Sequence, residues 1–149
     1  MESQVKYTSK PKLYLAGAID HVTPEQATGW RRIAREKLEE YYEILDPTEG
    51  KDLPHPEANT ALYTPKQIVE TDLAAIEGSH ALLVEAQHSN IPYWGTAMEV
   101  RQAWCWKKLI VAWGVCKSYW LRYHADVITG SLDDAIAVLK AAAKLRRGY

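Results

Sequence analysis

Phenylalanine is absent from this chain of 149 residues, although it carries six tryptophans and nine tyrosines. Each such ring brings a polar handle along with its apolar area, which suits core and subunit packing and equally suits stacking on a flat heterocycle. Cysteine is scarce: Cys105 and Cys116 form no CxxC pair and no metal-ligand spacing. That argues against a disulfide scaffold and for reduced thiols in a cytoplasmic setting. The five histidines (His21, His55, His80, His88, His124) make no HxxxH or Cys/His cluster, so a zinc site is not expected. No apolar run reaches bilayer-spanning length, and Met1 to Lys12 is polar without a secretory core. An excess of positive charge is lacking too. The formal net charge is -1, and Lys107-Lys108 and Arg146-Arg147 are short, scattered pairs, so a phosphate-tracking nucleic-acid face is not expected. What remains is an ordinary globular composition of a size that suits one core: a flexible N-terminus over 1–11 and one domain over 12–149.

The hydrophobic pattern alternates between strands and helices. Residues 12–19 read as a buried first strand. Thr23-Pro-Glu-Gln26 supplies an N-cap, a proline at N1 and a Gln at N3, followed by Trp30, Ile33, Ala34, Leu38 and Tyr41 at helical spacing. Tyr42 to Leu45 is a short second strand ending at Asp46-Pro47. Residues 47–63 read as a long loop of the kind that often serves function. Thr64-Pro-Lys-Gln67 repeats the helix start, with Ile68, Val69, Leu73 and Ile76 on one face and an end near Gly78. His80 to Ala86 is a third strand, and a loop covers 87–94. A helix opens at Gly95-Thr96 and runs through Lys107. Leu109 to Trp113 and Asp126 to Thr129 are the last strands. Ser131 caps a final helix to about Leu145. This alternation predicts a single-domain α/β fold with a doubly wound five-stranded parallel sheet; strand order is not read directly, and the flavodoxin-like 2-1-3-4-5 is the usual solution for five strands. In such sheets ligands sit beyond the carboxyl ends of the strands. That places Gly17–Thr23, Asp46–Tyr63, Gln87–Thr96 and the segment after Trp113 around the crevice.

Two carboxylates are chemically pointed. Glu99, in Gly95-Thr-Ala-Met-Glu99, is expected in the first turn of a helix whose N-terminus faces the crevice. Thr96-x-x-Glu99 is also a capping box, which would use the same carboxylate on backbone donors. Asp72 falls between Ile68 and Ile76 on the apolar side of its helix, whereas Glu70 and Glu77 point away. A carboxylate on a buried stripe is costly unless paired or used, and burial raises its pKa toward that of a general acid. An unbroken helix from Pro65 sets Asp72 roughly 10 Å from its start, so a break near Thr71 would improve its access. Asp20 is a third acid, at a position that also suits a turn former. Gly17 permits close backbone approach but has no partner at dinucleotide or P-loop spacing. The loop His88-Ser-Asn-Ile-Pro-Tyr-Trp94 offers Ser89, Asn90, Tyr93 and Trp94 beside Gly95 and Thr96. No GxSxG elbow is present, and neither cysteine has a base motif.

These residues resemble the nucleoside 2-deoxyribosyltransferase family and its N-glycoside hydrolase relatives. Three blocks in order carry the resemblance: Leu13-Tyr-Leu-Ala-Gly-Ala-Ile-Asp20, Thr71-Asp-Leu73 with the strand after it, and Gly95-Thr-Ala-Met-Glu99. It implies Glu99 as nucleophile, Asp72 as base-contacting acid and Tyr14 as a residue lining the site. Gly17, Asp20, Asp46 and the 89–96 loop would then be substrate-binding. The implied reaction is a double displacement with retention through a glycosyl-Glu99 ester, needing no metal or organic cofactor. The implied partners are a nucleoside and a free nucleobase, within a homo-oligomer whose sites a neighbouring chain completes; the terminal Gly148-Tyr149 is a candidate for that part. Two positions depart from the pattern. The transferases carry an acid six residues before the nucleophile, where this chain has Tyr93. Relatives that hydrolyse nucleoside monophosphates use a Gly- and Arg-bearing first loop and a Ser before the Glu helix, where this chain has Asp20-His21 and Trp94. Hydrolysis of a nucleoside or its 5′-monophosphate, and non-catalytic nucleotide binding with Trp94 filling the sugar space, are the alternatives.

Overall fold

The computed structural model describes residues 10–51, 64–115 and 117–146. Five strands, β1 (Lys12–Ala16), β2 (Glu43–Leu45), β3 (Ala81–Glu85), β4 (Leu109–Trp113) and β5 (Val127–Thr129), form one sheet. All neighbours are parallel, as the strand–helix alternation predicts, and the order is the expected flavodoxin-like β2-β1-β3-β4-β5. Among the described residues, five helices lie between and after them: α1 (Pro24–Leu38), α2 (Pro65–Glu77), α3 (Trp94–Cys105), α4 (Tyr119–His124) and α5 (Leu132–Arg146). Among the described residues no helix is long and apolar enough to cross a membrane.

Side chains alternate across a strand, and here both faces are covered. Leu13 and Leu15 of β1, Leu83 of β3 and Val111 of β4 pack with Trp30 and Leu38 of α1 and Leu139 of α5. Tyr14, Ala16, Leu82, Val84 and Ile110 face the other way, onto Ile76 of α2 and Val100 of α3. That is why the strands read as continuous apolar runs rather than alternating ones. The Tyr42 hydroxyl donates to the Leu139 carbonyl at 2.6 Å and ties the start of β2 to α5.

Local chemistry sets the helix starts. Thr23 and Thr64 each make the full capping box, with Gln26 and Gln67 at N3 and a proline inside the first turn. The Ser131 hydroxyl accepts from the Asp134 amide at 3.1 Å. The third helix departs from expectation. It begins at Trp94 rather than Gly95-Thr96, its N-cap is Tyr93 in the left-handed region (φ 52°), and no side chain caps it. The Thr96/Glu99 capping box therefore does not form, and Glu99 is the sixth helical residue rather than a first-turn one. The helix stops at Cys105, and Lys107 takes a positive φ of 61°. β1 ends at Ala16, three residues early. Helix α2 runs unbroken through Thr71 and Asp72. Val69 and Ile33 prove exposed, so the apolar stripes of α2 and α1 are narrower than their sequences suggest. α4 was not anticipated, because six residues are too few to display a period; Ser118 caps it by accepting from the Leu121 amide. Most of the expected 47–63 loop and Gly148-Tyr149 lie outside the described residues.

Gly114 ends β4 at φ +119°, and an added Cβ would lie 2.7 Å from the Ala86 carbonyl. Gly114→Ala should therefore cost at least about 2 kcal/mol in urea unfolding, from backbone strain plus a clash with main chain. An unchanged midpoint would show that the β4–α4 corner relaxes freely.

Candidate active site

The chain steps from β1 to β2 on one side and then crosses to β3 on the other, so the order reverses at β1. Crevices open at the carboxyl ends of strands at such a reversal. Tyr14 points from β1 to the α2/α3 face of the sheet, with 1% of its surface exposed. Glu99 comes from the second turn of α3. The Tyr14 hydroxyl donates to Glu99 Oε2 at 2.7 Å. The carboxylate thus bonds a phenol from another element rather than its own helix amides, which removes the capping explanation for it.

Burial is the main force on this pair. It pushes the Glu99 carboxyl from 4.5 up to about 7; the Tyr14 hydrogen bond, Arg31 and Lys51 pull it down, and the Asp72 charge adds to the rise. Burial likewise pushes the Tyr14 phenol far above its ordinary range, reinforced by Glu99 and Asp72. Asp72 is itself raised by burial and pulled back by Lys51 and Arg31. Two carboxyl groups from different helices therefore act on one phenol. Their mutual repulsion falls on Glu99, the more deeply buried of the two.

Arg31 and Glu85 are parts that sequence reasoning passed over. Arg31 is 1% exposed. Its guanidinium donates to the carbonyls of Ala27 (2.5 Å), Leu15 (3.3 Å) and Gly17 (3.2 Å), and its Nε lies 3.6 Å from Asp46 Oδ1. Asp46 in turn accepts from the amide and hydroxyl of Thr48, at 2.8 and 2.7 Å. Burial lowers the Arg31 pKa, and Asp46, Tyr14, Glu85 and Glu99 oppose that; a guanidinium stays charged under such a load. The signal was in the sequence: Arg31 shares the stripe of Ala27, Ala34 and Leu38, the same anomaly that exposed Asp72. Glu85 is also 1% exposed and interrupts the apolar run Ala81 to Ala86. Its carboxylate accepts from the Ala18 amide (3.1 Å), the Gln87 amide (2.8 Å) and the Tyr93 hydroxyl (2.5 Å).

The remaining expected site residues divide between the two flanks of α3. Tyr14, Gly17, Asp46 and Asp72 gather with Glu99, linked through Arg31. Ser89, Tyr93, Trp94 and Thr96 line a cavity of about 740 Å³ on the other flank, between α3 and α4, whose walls include Val100, Trp120 and Leu121 but neither Glu99 nor Tyr14. Gly95 sits at the start of α3 between the two. Asp20 and Asn90 are exposed in their loops. Among the described residues no group of three or more His, Cys, Asp or Glu is placed to hold a metal ion.

Solved structures share this fold. A 2-desoxiribosyltransferase from Leishmania mexicana superposes with a TM-score of 0.65 at 15% identity, over 86% of this chain and 95% of that one. The CMP N-glycosidase BcmB from Clostridium botulinum gives 0.60 at 19% identity, over 87% and 98%. A 3-dehydroquinate dehydratase-like protein from Bifidobacterium longum gives 0.51 at 12% identity, over 92% and 98%. No family model and no curated protein matches the chain. Identities this low establish the fold alone; two of the three names come from the two branches that the motif blocks resemble.

The Glu99 carboxyl should titrate with a midpoint of about 7 by carboxyl-carbon NMR. Tyr14→Phe should raise that midpoint, because the lost hydrogen bond favoured the anion. A midpoint at the ordinary glutamate value would mean that water reaches the group freely. The same shift acts on stability. The folded-state value lies above the unfolded one, so the contribution of protonated Glu99 is complete below about 4.5 and lost as pH rises through about 7. Glu99→Gln should therefore gain stability over the parent above that window and not below it.

Proposed function

We propose that this chain cleaves the N-glycosidic bond of 2-deoxynucleosides and passes the sugar to another nucleobase, with Glu99 as nucleophile. The observation that carries the reading is the Tyr14–Glu99 hydrogen bond between β1 and α3. It holds a shielded carboxyl of near-neutral pKa where the strand order reverses, with a second raised carboxyl, Asp72, acting on the same pair. Support comes also from the motif blocks and from the fold shared with a 2-desoxiribosyltransferase and a CMP N-glycosidase.

In the first half-reaction a Glu99 oxygen attacks C1′ from the face opposite the base. The C1′–N bond breaks and its electron pair goes to the base nitrogen, to which Asp72, its carboxyl pushed up by burial, is the proton donor in this reading. Tyr14 steadies the attacking carboxylate through its other oxygen. In the second half-reaction a nitrogen of an acceptor base attacks C1′, yields its proton to the Asp72 carboxylate and releases the Glu99 carboxylate, so two inversions give net retention. Water in place of the acceptor gives hydrolysis. That second reading draws on Tyr93, which stands where the transferases carry a sugar-contacting acid and whose hydroxyl is already engaged by Glu85.

Incubation with deoxyinosine and free cytosine separates the outcomes: deoxycytidine for transfer, hypoxanthine without exchange for hydrolysis, and binding without turnover for a non-catalytic protein. Glu99→Gln should abolish turnover, and Asp72→Asn should lower it about 100-fold or more, the scale of general acid catalysis. Full activity in Glu99→Gln would refute the nucleophile assignment.

The homo-oligomer belongs to this reading. Tyr119 and Trp120 of α4 are 81% and 78% exposed, and Trp94, Met98, Val115 and Tyr123 are exposed on the same side. Aromatic and Met-rich patches of this kind mark protein interfaces. The parent should sediment as an oligomer and Tyr119→Glu/Trp120→Glu as a monomer; a monomeric parent would exclude a site completed by a neighbour.

A further inference from the structure

We propose that Glu85 is a positioning residue for the same site: it sets where α3 begins and so where Glu99 stands against the sugar. The inference rests on the N-glycosidic reading for its kinetic consequence but on independent geometry for its structural one. One carboxylate oxygen of Glu85 takes the Ala18 amide of the β1–α1 loop; the other takes the Gln87 amide and the Tyr93 hydroxyl of the β3–α3 loop. The Tyr93 hydroxyl also accepts from the His88 amide at 3.0 Å. Both loops are therefore hung on one buried side chain.

Tyr93 is the residue on which the helix turns in. It holds φ at 52°, an unfavourable region for a bulky side chain, and no side-chain cap fixes the helix end. Its phenol, locked on Glu85, is what holds this residue in place of a cap. From there α3 rises to Glu99, which Tyr14 of β1 grips from the far side. β1 and α3 are thus joined twice, once through Glu99 and once through Glu85. The fit leaves no slack: a Cβ on Gly17 would lie 2.9 Å from Glu85 Cβ and 3.0 Å from its Oε1. Gly17 is required here by the approach of Glu85 together with the Trp30 ring, whose Cζ2 would also lie 2.9 Å away.

Displacement of a reacting group by about 1 Å can cost on the order of 100-fold in rate. Glu85→Gln keeps the volume and one acceptor oxygen, yet it cannot accept from all three donors. It should lower kcat at least ~30-fold with KM for the nucleoside within about threefold, because ground-state contacts persist while the attack geometry degrades. Tyr93→Phe, which leaves the carboxylate and both amide bonds intact, should lower kcat by roughly 5–10-fold with KM again unchanged. Hydrogen exchange read on the same proteins should quicken at the amides of Ala18, Gln87 and His88 while β4 and α5 keep their protection. A wild-type kcat in Glu85→Gln, or a loss carried wholly by KM, overturns the proposal. If the parent turns over no nucleoside, the N-glycosidic reading fails by itself. Exchange then decides for Glu85: faster exchange confined to the two loops supports it, and unaltered exchange rejects it.

Discussion

A phenol on the central part of the sheet holds a carboxylate on a helix, and the rest of the site is arranged around that contact. Tyr14 faces α3 because strand residues alternate; a one-residue slip of β1 would send it into the α1/α5 core instead. Glu99 faces Tyr14 because α3 begins at Trp94, which puts the residue a turn and a half into the helix. At that depth its carboxylate has no free backbone amides to bond and is shielded from water, so burial dominates its acidity. A group in the first turn would have been solvated and dipole-stabilised, with a low pKa and little need of a tyrosine.

Charge balance beneath the crevice follows from the same geometry. Asp46, Asp72, Glu85 and Glu99 converge from four different elements, a costly arrangement without compensation. Arg31 supplies it from below, its guanidinium seated on the carbonyls where β1 ends and beside Asp46 at the end of β2. Lys51 acts on Asp72 and Glu99 from the β2 side. Glu85 does without an ion pair among the described residues and is satisfied by main-chain amides and a phenol.

The sheet was legible because apolar strands bounded by threonine–proline helix starts leave few alternatives; the five strands follow from that pattern, and their order from the usual solution for five such strands. Tyr14, Asp72 and Glu99 were legible for different reasons. Asp72 broke an apolar stripe, whereas Tyr14 and Glu99 stood in blocks that resemble a family. The start of α3 was misread because Thr96-x-x-Glu99 has the composition of a capping box, and composition cannot reveal that Tyr93 would take a left-handed turn two residues earlier. Arg31 and Glu85 went unread although each interrupts an apolar pattern. Several of their partners are backbone groups on other elements, Leu15, Gly17 and Ala18, and only the folded chain shows that those groups need them. The separation of the 89–96 loop from Glu99, on the other flank of one helix, is likewise a three-dimensional fact with no periodic trace.

Acid quenching during the first turnover of a 2-deoxynucleoside, followed by peptide mapping, reads the covalent step itself. One deoxypentosyl unit esterified to the peptide that contains Glu99 is the expected result. Release of the donor base in a stoichiometric burst with the sugar on any other peptide would contradict a reaction built on the carboxylate that Tyr14 holds.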